Sequence, residues 1–166
     1  MNFIKTLYIH ERFFKYISSI AAIFLVSFWF PILYVIAWFL VTILGVLFIS
    51  DVLLLFNVKN GVSARRILTK KFSNSDSNPI PITIKNNYKF KIEVKLIDEL
   101  PNQFQKRDFE HVSFINPSNV WELEYIVKPV ERGEYYFGNI NVYASTFLRI
   151  VSRRFKFQNN EKVAVY

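Results

Sequence analysis

The sequence is poor in the residue types on which most binding and catalytic motifs depend. It contains no cysteine, four glycines and two histidines in 166 residues. Without cysteine the chain forms neither a disulfide framework nor a thiolate metal site. His10 and His111 are far apart in the sequence, whereas a zinc site needs clustered ligands. No glycine-rich phosphate loop or supported Ser-His-Asp motif occurs, so we expect a protein that is not an enzyme and holds no metal, cofactor or small-molecule substrate.

Charge is nearly absent from a long apolar stretch near the N-terminus. From Tyr16 to Phe56 the only charged residue is Asp51. As one helix this stretch would be about 60 Å long, against a hydrocarbon core of roughly 30 Å. Pro31 lies near its middle, and proline is tolerated at the start of a helix. After a lead over residues 1–12, we predict a two-helix transmembrane hairpin over 13–56, with helices at about 13–30 and 32–50 and a turn near Pro31.

Three residues of this stretch are predicted to lie at the membrane interface. Trp29 and Trp38 belong to the residue type enriched there. About 20 helical residues after Ile32 bring Asp51 to the opposite interface, where it would be an interfacial residue or would cap a turn or a helical piece over Val52–Phe56. A proton relay is the alternative for an intramembrane carboxylate. A cleaved signal peptide is a poorer explanation, because the stretch is too long and has no small-x-small cleavage pattern.

The flanking charges predict how the hairpin is oriented. Basic residues stand on both sides of it, and the connector around Pro31 has none. The positive-inside rule places both flanks in the cytoplasm, so both termini and everything after the second helix would be cytoplasmic, at an inner membrane. The flanking residues are Lys5, Arg12 and Lys15 before the apolar stretch Tyr16–Phe56, and Lys59, Arg65, Arg66, Lys70 and Lys71 after it.

Beyond a polar linker at 57–61, the pattern changes to an alternation typical of strands. Ile80, Ile82 and Ile84 alternate with polar residues or proline, and turn signals follow at short intervals. This predicts an all-β, Ig-like antiparallel sandwich over residues 62–166. The predicted strands are Val62–Phe72, Ile80–Lys85, Phe90–Leu96, Phe109–Ile115, Val120–Val127, Tyr135–Tyr143, Phe147–Phe157 and Lys162–Tyr166.

One predicted strand is strongly basic, in a chain of net charge +8. Arg149, Arg153, Arg154 and Lys156 could contact anionic lipid or a protein partner, could bind nucleic acid beside interleaved phenylalanines, or could be plain solvated cations. A membrane tether favours lipid over nucleic acid, because each cation near an anionic surface contributes about 1 kcal/mol.

A stretch near the C-terminus carries a resemblance to a known family. Arg132-Gly133-Glu134-Tyr135 is followed by Phe137-Gly138, and this resembles the Arg-Gly-x-Tyr-x-Phe-Gly signature of the bacterial membrane family catalogued as domain of unknown function 58. Other pieces resemble that family in the same order along the chain. They are Tyr8–Phe14, Asp51–Leu55, Gly61–Arg66, Asp98–Pro101 and Val163–Tyr166.

Residue chemistry gives the signature structural roles. Gly133 suits a turn with positive φ, Gly138 suits a bulge or a close approach between strands, and Tyr135 and Phe137 share a predicted core face. The resemblance itself implies a von Willebrand A-like domain after Tyr166, whose metal site maps onto no residue here. It also implies a partner, a MoxR-type AAA+ ATPase or another protein of a membrane complex. Together these expectations describe a non-enzymatic membrane anchor and interaction module, with lipid or nucleic-acid binding by the basic strand as the alternative.

Overall fold

The computed structural model describes residues 3–104, 109–158 and 161–166, so residues 1–2 of the predicted lead lie outside them. The chain divides into two compact units. Unit 1 consists of Met1–Lys59 and Ser145–Arg153, and unit 2 consists of Asn60–Ala144 and Arg154–Tyr166.

Unit 1 is built around two helices that run antiparallel. It begins with α1 (Phe3–Thr6) and β1 (Leu7–Ile9), followed by α2 (Glu11–Val26) and α3 (Ile32–Phe56). The rings of Phe13 and Phe48 lie 5.2 Å apart, and those of Phe24 and Tyr34 lie 5.9 Å apart. The start of α2 therefore packs near the end of α3. Among the described residues one helix, Ile32–Phe56, is long and apolar enough to cross a membrane.

The helix boundaries differ from the predicted ones at two ends. The predicted first helix reached residue 30, but α2 ends at Val26, because Ser27–Trp29 form a turn in which Trp29 N–H donates to Val26 O at 3.0 Å. The predicted second helix ended near residue 50, whereas α3 continues to Phe56. No proline or internal glycine interrupts the last turns of α3. The separate helical piece predicted over Val52–Phe56 is therefore wrong.

A segment distant in sequence completes unit 1. The first residues of β10 (Val151–Phe157) pair antiparallel with β1, with Ile9 opposite Val151 and Leu7 opposite Arg153. The predicted strand Phe147–Phe157 begins too early, because residues 146–149 form a turn in which Arg149 has a φ of 51°. Sequence reasoning missed β1, which is three residues long and too short for a periodic pattern.

Unit 2 is an antiparallel β sandwich, which confirms the predicted fold class. One sheet has the order β2-β4-β7, and a second has the order β10-β9-β5-β6. A third, β3-β11-β8, contains one parallel pair, β3 with β11. The strands are β2 (Val62–Arg66), β3 (Lys71–Phe72), β4 (Asn78–Asn86), β5 (Ile92–Asp98), β6 (Glu110–Ile115), β7 (Val120–Val127), β8 (Gly133–Phe137), β9 (Ile140–Ser145), the later residues of β10, and β11 (Glu161–Val165).

The period-two alternation explains the core of the sandwich. Ile80, Ile82 and Ile84 of β4 are fully buried, as are alternate residues of β5.

Two predicted strands are each divided in the structure. Val62–Phe72 becomes β2 and β3, and Tyr135–Tyr143 becomes β8 and β9, because Gly138 and Asn139 bond to Glu99 rather than continuing the ladder.

Gly61, at the entry to the sandwich, is held against a buried aromatic ring. A Cβ at this position would lie 2.0 Å from Tyr88 Cζ, and Tyr88 is fully buried. We expect Gly61→Ala to lower the free energy of unfolding by about 1–3 kcal/mol, because the tyrosine must leave its packed position. Urea unfolding of the full chain in detergent micelles, followed by circular dichroism, measures the change.

Gly45→Ala is the matched control, because a Cβ there meets no atom within 4 Å and alanine favours a helix. Equal urea midpoints for the two variants would contradict the packing role of Gly61.

Candidate functional sites in the two units

Among the described residues no group of three or more His, Cys, Asp or Glu side chains could hold a metal ion. The two histidines have local contacts instead. His10 caps α2, with its Nδ1 accepting a hydrogen bond from Arg12 N–H at 3.3 Å. His111 lies in β6 beside the ring of Phe109, with centroids 4.6 Å apart.

Asp51 fastens α3 to a turn within unit 1. It lies inside the continuous helix and its side chain is fully buried. Oδ2 accepts hydrogen bonds from Val151 N–H at 2.9 Å and Ile150 N–H at 3.2 Å. The Thr146 hydroxyl donates to Oδ1, and the same hydroxyl oxygen accepts from Leu148 N–H at 3.1 Å. Two backbone amides and one hydroxyl thus bond to a single side chain of the helix, and this set fixes the turn Thr146–Ile150 against α3.

Arg153 caps the C-terminal end of the same helix. Its Nη1 donates to Leu55 O at 2.7 Å and to Val58 O at 2.6 Å, and Nη2 donates to Lys59 O at 3.0 Å. Its guanidinium also lies 4.8 Å from the centroid of the Phe56 ring. The last carbonyls of a helix lack intrahelical donors and carry partial negative charge. Arg153, which is only 2% exposed, satisfies one of them, Leu55 O, and also donates to two carbonyls of the segment that follows the helix.

The four cations predicted to form a basic contact surface do not share one. Arg153 is buried in the helix cap, and Arg149 lies in the turn before β10. Arg154 donates to Asn141 Oδ1 from Nη2 at 2.7 Å and from Nε at 3.1 Å, while Lys156 is exposed. Successive side chains of a strand point to opposite faces. Arg153 and Arg154, which are adjacent in the sequence, therefore bond to different residues.

The residues predicted for the membrane interface differ in exposure. Trp29 is 70% exposed and Trp38 is 53% exposed, whereas Asp51 faces the turn described above. The rings of Trp38 and Phe24 lie 5.9 Å apart, so Trp38 also helps to pack α3 on α2.

The residues of the family-like signature have structural roles in unit 2. Gly133 has a φ of 143°, and a Cβ at Gly138 would lie 2.6 Å from Glu99 Oε2. The positive φ expected of Gly133 is confirmed, whereas Gly138 lies close to Glu99, in the segment after β5, and not to a neighbouring strand. Tyr135 and Phe137 are buried on one face, also as expected, and the Tyr135 hydroxyl donates to Glu131 O at 2.9 Å. Arg132 is exposed.

A buried ion network joins the strands of unit 2. Arg66 is 1% exposed, and its Nη1 lies 2.5 Å from Asp98 Oδ1. Arg66 Nη2 donates to Gly138 O at 3.1 Å, and Arg66 Nε lies 3.5 Å from Glu161 Oε2. The Tyr125 hydroxyl donates to Asp98 Oδ2 at 2.6 Å. These contacts connect β2, β5, β7 and β11 through the interior.

Burial governs the protonation of this network. It raises the pKa of Asp98 above its ordinary value, although the Arg66 charge and the Tyr125 hydrogen bond act in the opposite direction. Burial and the neighbouring Asp98 charge also raise the pKa of Tyr125, so its hydroxyl remains a donor. Sequence reasoning singled out Asp98 only as part of a family-like step, and no local pattern linked it to Arg66.

Glu99 holds the connection between β8 and β9. It accepts from Asn139 N–H at 2.9 Å, from Asn139 Nδ2 at 2.8 Å and from Asn141 Nδ2 at 2.8 Å. Partial burial raises the pKa of Glu99, but these donors outweigh it and leave the pKa below its ordinary value. Glu99 therefore remains an acceptor at neutral pH.

Comparison with known proteins gives no family for the chain. No protein-family model matches it, and no curated protein matches it. Among solved structures, a PapD-like domain of human CEP192 is 11% identical, with a TM-score of 0.42 over 64% of this chain and 86% of that domain. The CARDB domain of a Pyrococcus furiosus protein, solved with two metal ions, is 12% identical, with a TM-score of 0.42 over 63% of this chain and 87% of that domain. Likenesses at this level identify neither a family nor a function.

The buried network predicts a large effect from a small change. Asp98→Asn removes the carboxylate charge but leaves the Arg66 guanidinium inside the sandwich. Breaking such a pair from one side costs about 3–5 kcal/mol of the free energy of unfolding. Urea unfolding of the full chain in micelles measures this loss.

Glu134→Gln is the control, because it neutralises an equivalent carboxylate whose ion pair with Lys162 is solvent-exposed. The double variant Arg66→Met/Asp98→Leu should recover part of the lost stability, since it leaves no buried charge unmatched. If Asp98→Asn behaves like Glu134→Gln, the network does not hold the sheets together.

Proposed function

We propose that the protein is a non-enzymatic inner-membrane anchor that presents a cytoplasmic β sandwich for protein interaction. The observation that carries this proposal is α3, a long apolar helix whose side chains are largely exposed along its length. Exposed apolar surface on this scale is unfavourable in water and normal in lipid. The chain also contains a β sandwich, and its edge strand β6 has exposed apolar side chains.

The second membrane pass is α2. Its 16 residues span about 24 Å, and the turn after it adds length toward the roughly 30 Å hydrocarbon core. The turn exposes Phe28, Trp29 and Phe30 at 85%, 70% and 60%, and aromatic side chains favour the interface. The antiparallel arrangement then returns the chain to the side from which it entered. With basic residues on both flanks, that side is the cytoplasm.

The interaction surface proposed for the sandwich lies on β6. Val112 and Phe114 project outward from this edge strand and are 51% and 53% exposed. Apolar groups exposed on a sheet edge are typical of protein-docking sites.

The resemblance of the signature around Arg132 and Gly133 to domain of unknown function 58 supports a MoxR-type AAA+ ATPase as the partner. It also supports a von Willebrand A-like domain after Tyr166 in the native protein.

The alternative function, lipid or nucleic-acid binding by the basic strand, has less support. Arg153 donates to three backbone carbonyls, and Arg154 is bonded to Asn141. Arg153 and Arg154 therefore do not form a shared basic surface with Lys156.

The orientation can be measured with single cysteines, because the native chain contains none. A cysteine replacing Ser118, which is exposed in the turn between β6 and β7, should react with a membrane-impermeant maleimide only after the inner membrane is permeabilised. A cysteine replacing Trp29, in the turn proposed to face outward, should react in spheroplasts without permeabilisation. Labelling of the Ser118 variant from the periplasmic side would overturn the orientation.

The partner can be tested by direct binding. We expect a purified MoxR-type ATPase from the same genome to bind the detergent-solubilised full chain. Phe114→Ser should weaken binding by about tenfold or more if Phe114 is an interface anchor. Val130→Ser changes another exposed apolar residue outside β6 and should leave the affinity unchanged. Interferometry measures the affinities, and absence of binding by the unmodified chain would contradict the ATPase assignment.

A further inference from the structure

The turn Thr146–Ile150 lies alongside the apolar part of α3. Leu148 and Ile150 line an apolar groove of about 310 Å³ together with residues of both helices. On α3 these include Leu44 and Leu47, which precede Asp51 by about two turns and one turn. The turn is therefore fastened at Asp51 and extends back along the helix toward its N-terminal end.

The length of α3 gives the depth of this groove. From Ile32 to Asp51 the helix rises about 29 Å, close to the full thickness of a hydrocarbon core. Leu44 and Leu47 lie about 18 Å and 23 Å along that distance. If α3 spans the bilayer from Ile32, as the proposed function requires, both leucines lie inside the hydrocarbon. Leu148 and Ile150 line the groove with these leucines while Ile150 N–H is bonded to Asp51, so the turn extends from the depth of Asp51 toward that of Leu47.

The residue at the tip of the turn is a large aromatic side chain directed away from the protein. Phe147 is 77% exposed, the highest value among the large apolar residues outside the helical hairpin whose exposure the structure describes. Transfer of a phenylalanine side chain from water to an apolar environment is worth about 1.5–3 kcal/mol. Its neighbour in the chain, Leu148, lines the apolar groove formed with the two helices.

The hydrogen bonds of the turn also suit it to a low-dielectric setting. Backbone groups without partners are costly in hydrocarbon, and irregular backbone is found there only where protein supplies the partners. Here Asp51 accepts from Ile150 N–H and Val151 N–H, the Thr146 side chain accepts from Leu148 N–H, and Arg149 N–H donates to Thr146 O at 3.2 Å. Four consecutive amides, from residue 148 to residue 151, are thus satisfied within unit 1.

From these observations we propose that the turn Thr146–Ile150 enters the cytoplasmic leaflet of the bilayer and places the Phe147 side chain among lipid acyl chains. The partner of this surface is phospholipid. The inference rests on the proposed membrane span of α3. It adds a contact with lipid from a segment that is distant from the hairpin in sequence.

Nitroxide spin labels test the depth of the turn in the full chain. Single cysteines replace Phe147, Phe39 and Ser118 in separate variants, and each is labelled after reconstitution into phosphatidylcholine–phosphatidylglycerol vesicles. Collision with oxygen, which concentrates in lipid, is compared with collision with a water-soluble nickel chelate. Phe39 is 66% exposed in the middle of α3 and serves as the lipid reference, while Ser118 serves as the aqueous reference.

We expect the label at Phe147 to show a ratio of oxygen to nickel collision shifted from the Ser118 value toward the Phe39 value. In an Asp51→Ala background, the label at Phe147 should gain nickel accessibility, because the turn loses its attachment. The Phe39 label should not change in that background. This second comparison separates the placement of the turn from general loss of structure.

The outcomes distinguish the inference from the proposed function. Lipid values at Phe39 with aqueous values at Phe147 would overturn the lipid contact and leave the anchor intact. Aqueous values at Phe39 would overturn both, because α3 would then not be in the bilayer. If Phe147 becomes protected from nickel only when a protein partner is added, the turn binds protein and the lipid assignment is wrong.

Discussion

The carboxylate of Asp51 is the interaction on which unit 1 depends. It is a buried acceptor in an apolar helix, and its donors are two backbone amides and a hydroxyl from the turn Thr146–Ile150. A buried carboxylate without such donors would be strongly unfavourable. The position of the turn on α3 follows from this requirement. The pairing of β1 with β10 and the Arg153 cap lie immediately beyond the turn and extend the same attachment.

Unit 2 uses buried charge in a related way, although its parts are strands. Arg66, Asp98 and Tyr125 come from three strands, and each satisfies part of another's hydrogen-bonding capacity. A buried ion pair adds little net stability, but it penalises arrangements that leave one member alone. The network therefore favours one register of these strands over its alternatives. Gly138 takes part twice, through its carbonyl to Arg66 and through its close contact with Glu99.

The sequence predicted those features that depend on neighbouring residues. Alternation along β4 and β5 identified the strands, and apolar length identified α3. The unpredicted features join residues that are far apart in the chain. The donors of Asp51 were not predicted, because they are mainly backbone amides, which every residue except proline possesses and which leave no mark on the sequence. Arg153 was predicted as part of a basic surface because Arg149 and Arg154 are also cations. In the structure, strand alternation turns Arg153 away from Arg154, and its guanidinium bonds at the end of α3.

The two-segment construction of unit 1 has a consequence for synthesis. Thr146 follows Asp51 by 95 residues, and at 5–20 residues per second the ribosome needs about 5–20 s to make that stretch. During this interval the hairpin is complete but the carboxylate has none of its final donors. In the proposed membrane anchor, water at the membrane surface would solvate Asp51 until the turn arrives, so insertion of the helices and completion of unit 1 would be separate events in time. For the same reason, residues 1–59 transplanted onto another protein would carry an unfinished anchor.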